Sequence, residues 1–108
     1  MHAAVAEDRI FHALADPSRR AILKSLMRGE AAVKDLTARF DISQPAVSQH
    51  LATLKAAGLV NGRRDGRSVY YRVEPRGMKP LIDWMAHYRA FWLAHAQRLE
   101  ALLEKMDE

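Results

Sequence analysis

Two runs of apolar residues at helical spacing, separated by only three residues, constrain this chain more than anything else in it. Val33, Leu36 and Phe40 mark one short helix, and Val47, Leu51 and Leu54 stripe a second over residues 44–57. Between them stands Asp41-Ile42-Ser43, a polar, apolar, polar turn. Ser43 is placed to cap the second helix, Pro45 is tolerated because first-turn amides have no intrahelical partner, and Gly58 ends it. Ile42 is left to plug the angle between the helices. The spacing therefore predicts a helix-turn-helix over about 33–57.

What remains outward on the second helix is polar and uncharged: Gln44, Ser48, Gln49 and Thr53, with His50 at the boundary. Short polar side chains near a helix N-terminus suit base edges, since glutamine pairs bidentately with adenine and serine meets several base or phosphate groups. After Gly58, residues 59–73 read as two strands around a tight Asp65-Gly66 turn, a strong hairpin signal. Arg63, Arg64 and Arg67 cluster at its tip, where a hairpin beside a recognition helix would rest on the phosphate backbone. That hairpin is a wing. Ser43, Gln44, Ser48, Gln49, His50, Arg63, Arg64 and Arg67 are the expected DNA-binding residues.

The flanks are helical. Ile10, Phe11 and Leu14 form a short stripe that stops at Asp16-Pro17, where the aspartate caps and the proline opens a helix over about 17–28. Ile22, Leu23 and Leu26 face inward there, Arg19, Arg20, Lys24 and Arg28 are expected to stay solvated, and Gly29 follows as a stop. Pro75-Arg76-Gly77 breaks the second strand, and about 78–106 reads as one long helix. Its Leu81, Met85, Tyr88, Trp92, His95, Leu99, Leu102 and Met106 step by alternating four and three residues, a heptad seam. Such a helix extends roughly 40 Å, further than a domain this small can cover. With Trp84, Phe91 and Trp92 also on it, packing within one chain would leave a large apolar patch exposed. Phe11, Leu14, Leu81, Met85, Tyr88, Trp92, His95, Leu99 and Leu102 are therefore the expected dimer interface.

Composition narrows the partners. A net charge of +4 over 108 residues favours a polyanion without naming one. The absence of cysteine excludes disulfides, thiolate metal sites and thiol redox switches. Residues 1–5 lack the basic and apolar regions of a secretory signal, and no apolar run approaches the roughly 20 residues of a membrane span. The expectation is a soluble, cytoplasmic protein with no membrane partner.

The ordered set of motifs resembles the ArsR/SmtB family of bacterial winged-helix repressors. The likeness rests on Phe11-His12-Ala13-Leu14-Ala15-Asp16-Pro17-Ser18-Arg19-Arg20, on Ile42-Ser43-Gln44-Pro45-Ala46-Val47-Ser48-Gln49-His50-Leu51, on Leu54-Lys55-Ala56-Ala57-Gly58-Leu59-Val60, and on Arg63-Arg64-Asp65-Gly66-Arg67-Ser68-Val69-Tyr70-Tyr71. It implies a homodimer, built from the first and last helices, that sits on an operator and leaves it when an inducer binds. The sensor departs from the family. Where arsenic and cadmium sensors carry Cys-Val-Cys, this chain has Glu30-Ala31-Ala32-Val33-Lys34-Asp35-Leu36. Where zinc sensors carry paired ligands on the last helix, it offers only Asp83, His87 and His95, with Arg98 three residues on.

The expected fold is mainly α with a small β-hairpin (α+β), four helices, two strands and a fifth helix in one domain over residues 1–108. The expected partners are a double-stranded DNA operator, a second copy of the chain and an unknown inducer, with no cofactor and no metal. Two alternatives stand beside this reading: a metal- or pH-responsive repressor using His87 and His95, and a winged helix used for protein interaction. The polar Gln44, Ser48, Gln49 face argues against the latter, because interaction surfaces more often expose aromatic or aliphatic anchors. No nucleophile, base and orienting group stand at a credible spacing for an enzyme.

Overall fold

The turn from the first helix to the second shows how local chemistry sets the architecture. In the computed structural model, which describes residues 2–107, α1 spans His2–Leu14 and α2 spans Pro17–Leu26. Asp16 caps α2 with Pro17 in its first turn: its Oδ1 accepts from the amides of Ser18 at 2.7 Å and Arg19 at 3.1 Å. The last carbonyls of α1 have no partner within their own helix, and α2 supplies them. Arg19 donates from Nε to the Ala13 carbonyl at 2.7 Å and from a terminal nitrogen to that of His12 at 3.2 Å, and Arg20 donates to that of Leu14 at 2.7 Å. Arg19 is thus half-buried rather than solvated, while Arg20 stays exposed as the sequence suggests but is hydrogen-bonded. They tie α1 to α2 by charge-assisted hydrogen bonds.

The helix-turn-helix forms as its spacing predicts, with α3 at Val33–Phe40 and α4 at Gln44–Ala56. Leu36, Val47, Leu51 and Leu54 are fully buried together with Ile10, Ile22 and Leu59, and Ile42 packs on this core from the turn. The Ser43 Oγ accepts from the Ala46 amide at 3.2 Å, and Pro45 falls in the first turn. Gly58, at φ +81°, closes α4: the Leu59 amide reaches back to the Leu54 carbonyl and the Gly58 amide to that of Lys55.

The sheet has one strand more than the sequence suggests. Ala31–Ala32 forms β1, which with β2 (Val60–Asp65) and β3 (Ser68–Val73) gives an antiparallel sheet in the order β1-β3-β2. Two alanines carry no strand preference; they are buried opposite Tyr71 and Tyr70, and they cover an edge of β3 that would otherwise be open. The hairpin register pairs Asp65 with Ser68, so the two loop residues are Gly66 and Arg67 rather than Asp65 and Gly66. Gly66 takes φ +65° as the first of the two, which only glycine adopts cheaply.

A short 3-10 turn, Pro75–Met78, leads into the last part of the chain. A Cβ on Gly77 would lie 1.6 Å from the Gly58 carbonyl oxygen, so two backbones touch where α4 ends and the arm begins. The Glu74 amide donates to the Leu59 carbonyl at 2.9 Å, and Asn61 Nδ2 to the Glu74 carboxylate at 2.9 Å.

The single long helix expected over about 78–106 is two: α5 at Lys79–Ala94 and α6 at Ala96–Asp107. His95 breaks it, at φ −116° and ψ 21°. Its amide is shared between the carbonyls of Phe91 and Trp92, its Nδ1 lies 2.8 Å from the Phe91 carbonyl, and its ring stacks on Phe91 with centroids 4.5 Å apart. A side chain competing for the carbonyl ladder is a recognised cause of a kink. α5 packs on α1, where Phe11 meets Trp84 edge-on with centroids 4.9 Å apart. The arm then leaves the body: the radius of gyration is 17.6 Å, against about 13 Å for a compact chain of this length. Among the described residues no helix is long and apolar enough to cross a membrane.

Two outcomes follow for stability. Gly77→Ala places a methyl group against backbone that cannot yield, and should cost on the order of 3 kcal/mol or more in urea unfolding; wild-type stability would show that the 74–78 turn does not rest on Gly58. Hydrogen bonds from the Arg19 amide hold the Asp16 carboxyl below its usual range, with the Ser18 amide and the Arg19 charge adding to this against partial desolvation. A depressed carboxyl stabilises the fold above its unfolded pKa of about 3.9 and loses that contribution as pH falls through the lower folded value. Asp16→Ala should lower the melting temperature at pH 7 and reduce the loss of stability on acidification below about pH 4; an unaltered acid limb would remove the aspartate from that role.

Candidate nucleic-acid interface

α4 is held from within by Val47, Leu51 and Leu54, which leaves Gln44, Ser48 and Gln49 exposed on the opposite side. None of these three side chains is hydrogen-bonded within the described residues, so their donors and acceptors are available. The other expected residues of this helix sit differently. Ser43 is exposed, with its hydroxyl already accepting the capping bond, and the Thr53 hydroxyl donates to the Gln49 carbonyl at 3.2 Å. His50 is half-buried with its Nδ1 buried and unpartnered, close enough to Asp16 to favour that carboxylate's charge. It lies on the flank that meets the α1–α2 corner.

The wing arginines also differ from one another. Arg63 is engaged within the protein. Its Nε donates to Glu30 Oε2 at 3.1 Å, one terminal nitrogen donates to Glu30 Oε1, the other lies 3.7 Å from Asp65, and the guanidinium sits 5.0 Å from the Tyr70 ring centroid. The hydrogen bonds to Arg63 lower the Glu30 carboxyl and raise the guanidinium in turn. Arg64 and Arg67 are exposed and make no ion pair among the described residues. Between wing and recognition helix runs a groove of about 470 Å³, lined among others by Lys34, Gln44, Ser48, Arg67, Ser68 and Tyr71. Lys34 is absent from the sequence expectation. On the sequence it is one outward charge on a short helix, and only the docking of the wing brings it to this groove.

The expected interface residues divide in a similar way. Leu14 and Leu81 lean on the core, and Leu99 is half-buried. Phe11, Met85, Tyr88, Trp92 and Leu102 are exposed, as are Ile82, Phe91, Leu103 and Met106, which widen the face. His95 is turned back onto its own helix, Asp83 is paired with Lys79 Nζ at 2.8 Å, and His87 is exposed.

A polar helix face beside an arginine-tipped hairpin defines a winged helix-turn-helix regulator of the DNA-binding class. The sequence profile of bacterial regulatory proteins of the arsR family matches residues 16–62. Transcriptional repressor SdpR of Bacillus subtilis is 35% identical over 81 residues, covering 75% of this chain and 90% of its own. HTH-type transcriptional regulator Rv2034 of Mycobacterium tuberculosis is 46% identical over 74 residues, covering 68% and 69%. The solved ArsR-like transcriptional regulator from Rhodococcus sp. RHA1 superposes with a TM-score of 0.74 at 27% identity, over 100% of this chain and 98% of that one. The chain belongs to the ArsR family and is a transcriptional regulator, not an enzyme.

If α4 reads bases, Gln49→Ala should cost on the order of 1–3 kcal/mol of affinity and relax the preference at one base position per half-site. Binding-site selection with the variant checks this; an unchanged motif would remove Gln49 from base readout.

Proposed function

We propose that two copies of this chain pair through the apolar face of α1, α5 and α6, and that the pair represses transcription by occupying a two-fold symmetric operator in the cytoplasm. The observation that carries the pairing is the uncovered run on the arm. Tyr88 is 50% exposed, Phe91 52% and Trp92 42%, on a helix whose other face meets α1. Contiguous aromatic surface of that kind marks an interaction site, and a two-fold pair covers it with the same patch from both sides. Repression is supported by the similarity to SdpR, a named repressor.

On the operator, Gln44, Ser48 and Gln49 of each copy meet base edges in one major groove, with Ser43 and His50 at the margins of that contact. Arg64 and Arg67 meet phosphates, which give affinity and register without sequence choice. Two recognition helices then fall in successive major grooves roughly 34 Å apart, so the operator is palindromic.

Trp92→Arg or Leu99→Arg places a charge in the pairing face. Each variant should sediment as a monomer at micromolar concentration and lose operator affinity. DNA fragments selected by the wild type from a random pool should share a palindromic motif. A wild-type monomer, or a selected motif without two-fold symmetry, would overturn the proposal.

A further inference from the structure

The groove between the wing and the recognition helix receives cationic side chains from two different elements, and among the described residues neither is engaged by a carboxylate. Lys34 enters from the first turn of α3 and Arg67 from the tip of the wing, with the hydroxyls of Ser48 and Ser68 beside them. Asp35 follows Lys34 in sequence, but adjacent helical residues point to different sides, and Asp35 does not line the groove. We infer that this groove seats the sugar-phosphate backbone of one DNA strand, with Lys34 as a phosphate-contacting residue, and that Arg63 is not a phosphate ligand but the positioning residue that holds the wing. This rests on the DNA-binding reading of α4 and refines where the backbone lies against it.

The chemistry of the lining supports a polyanion. Lysine, arginine and hydroxyl donors are the groups that most often meet phosphate oxygens. The groove also adjoins Gln44 and Ser48 directly, so a strand held in it keeps its base edges within reach of the reading face. Around Arg63 the balance is opposite. One guanidinium lies between two carboxylates, Glu30 and Asp65, so a phosphate brought there would join an excess of negative charge. Because Glu30 precedes β1 and Arg63 lies in β2, their paired hydrogen bonds span the sheet and fix the wing over the groove.

Operator affinity measured as a function of salt separates the two roles. Lys34→Ala removes one contact from each of the two copies, so it should reduce the magnitude of the log-log salt slope by about 1.8 and leave the selected motif unchanged, the wild type losing about 12-fold more affinity than the variant between about 0.05 and about 0.2 M salt. The charge-balanced Glu30→Ala/Arg63→Ala variant should bind more weakly at every salt concentration with the wild-type slope. An unchanged slope for Lys34→Ala, or a slope reduced by about two contacts, one per copy, in the double variant, overturns the assignment. A wild type with no salt-dependent affinity for any duplex would overturn the DNA-binding reading beneath it.

Discussion

Where the Gly58 carbonyl meets Gly77, there is room for no side chain at all, and the relation between the two working parts of the molecule depends on that contact. Gly58 ends the recognition helix and begins the wing; Gly77 stands in the turn that launches the arm. The Glu74 amide on the Leu59 carbonyl and the Asn61 amide on the Glu74 carboxylate reinforce the same joint. Exit of α4, root of the wing and root of α5 are thereby one rigid corner. A reading head fixed to its arm in this way has a defined separation from a second head when two arms pair, which a flexible linker would not provide.

The opposite side of the body is fastened by different chemistry to the same end. Arg19 and Arg20 of α2 take the last carbonyls of α1, and α1 in turn presents Phe11 to Trp84 of α5. The arm is thus held near its root from two directions, by backbone contact at Gly77 and by aromatic packing at Trp84. Among the described residues, the exposed aromatic side chains of the arm are Tyr88, Phe91 and Trp92, which follow Trp84 along α5.

Most of this was legible in the sequence, and the parts that were not have identifiable causes. The buried stripes of α2 and α4 and the caps at Asp16 and Ser43 follow from spacing and from the chemistry of helix ends, both local matters. β1 was hidden because it consists of two alanines whose extended form comes from β3 beside them. The break at His95 was hidden because neither proline nor glycine marks it, and the heptad seam runs through it without interruption. The exposed polar face of α4 could be read off its spacing. Separating Arg63 from Arg64 and Arg67 could not, since Glu30 is 33 residues away from its partner along the chain.

That separation bears on what a net charge of +4 means. Two of the arginines counted in it bind helix carbonyls at the α1–α2 corner, and a third is matched by Glu30. Total charge therefore says little about where a polyanion would lie. Among the described residues, the cations without a carboxylate partner that flank the Gln44, Ser48 and Gln49 face include Lys34, Arg64 and Arg67, which come from a helix start and a hairpin tip. Charge at the margins and neutral amides at the centre is the arrangement that lets phosphate contacts set register while base contacts set sequence. Had the same cations stood among Gln44, Ser48 and Gln49, their attraction to any phosphate would have been added to every sequence alike, and the helix would bind DNA more tightly while discriminating less.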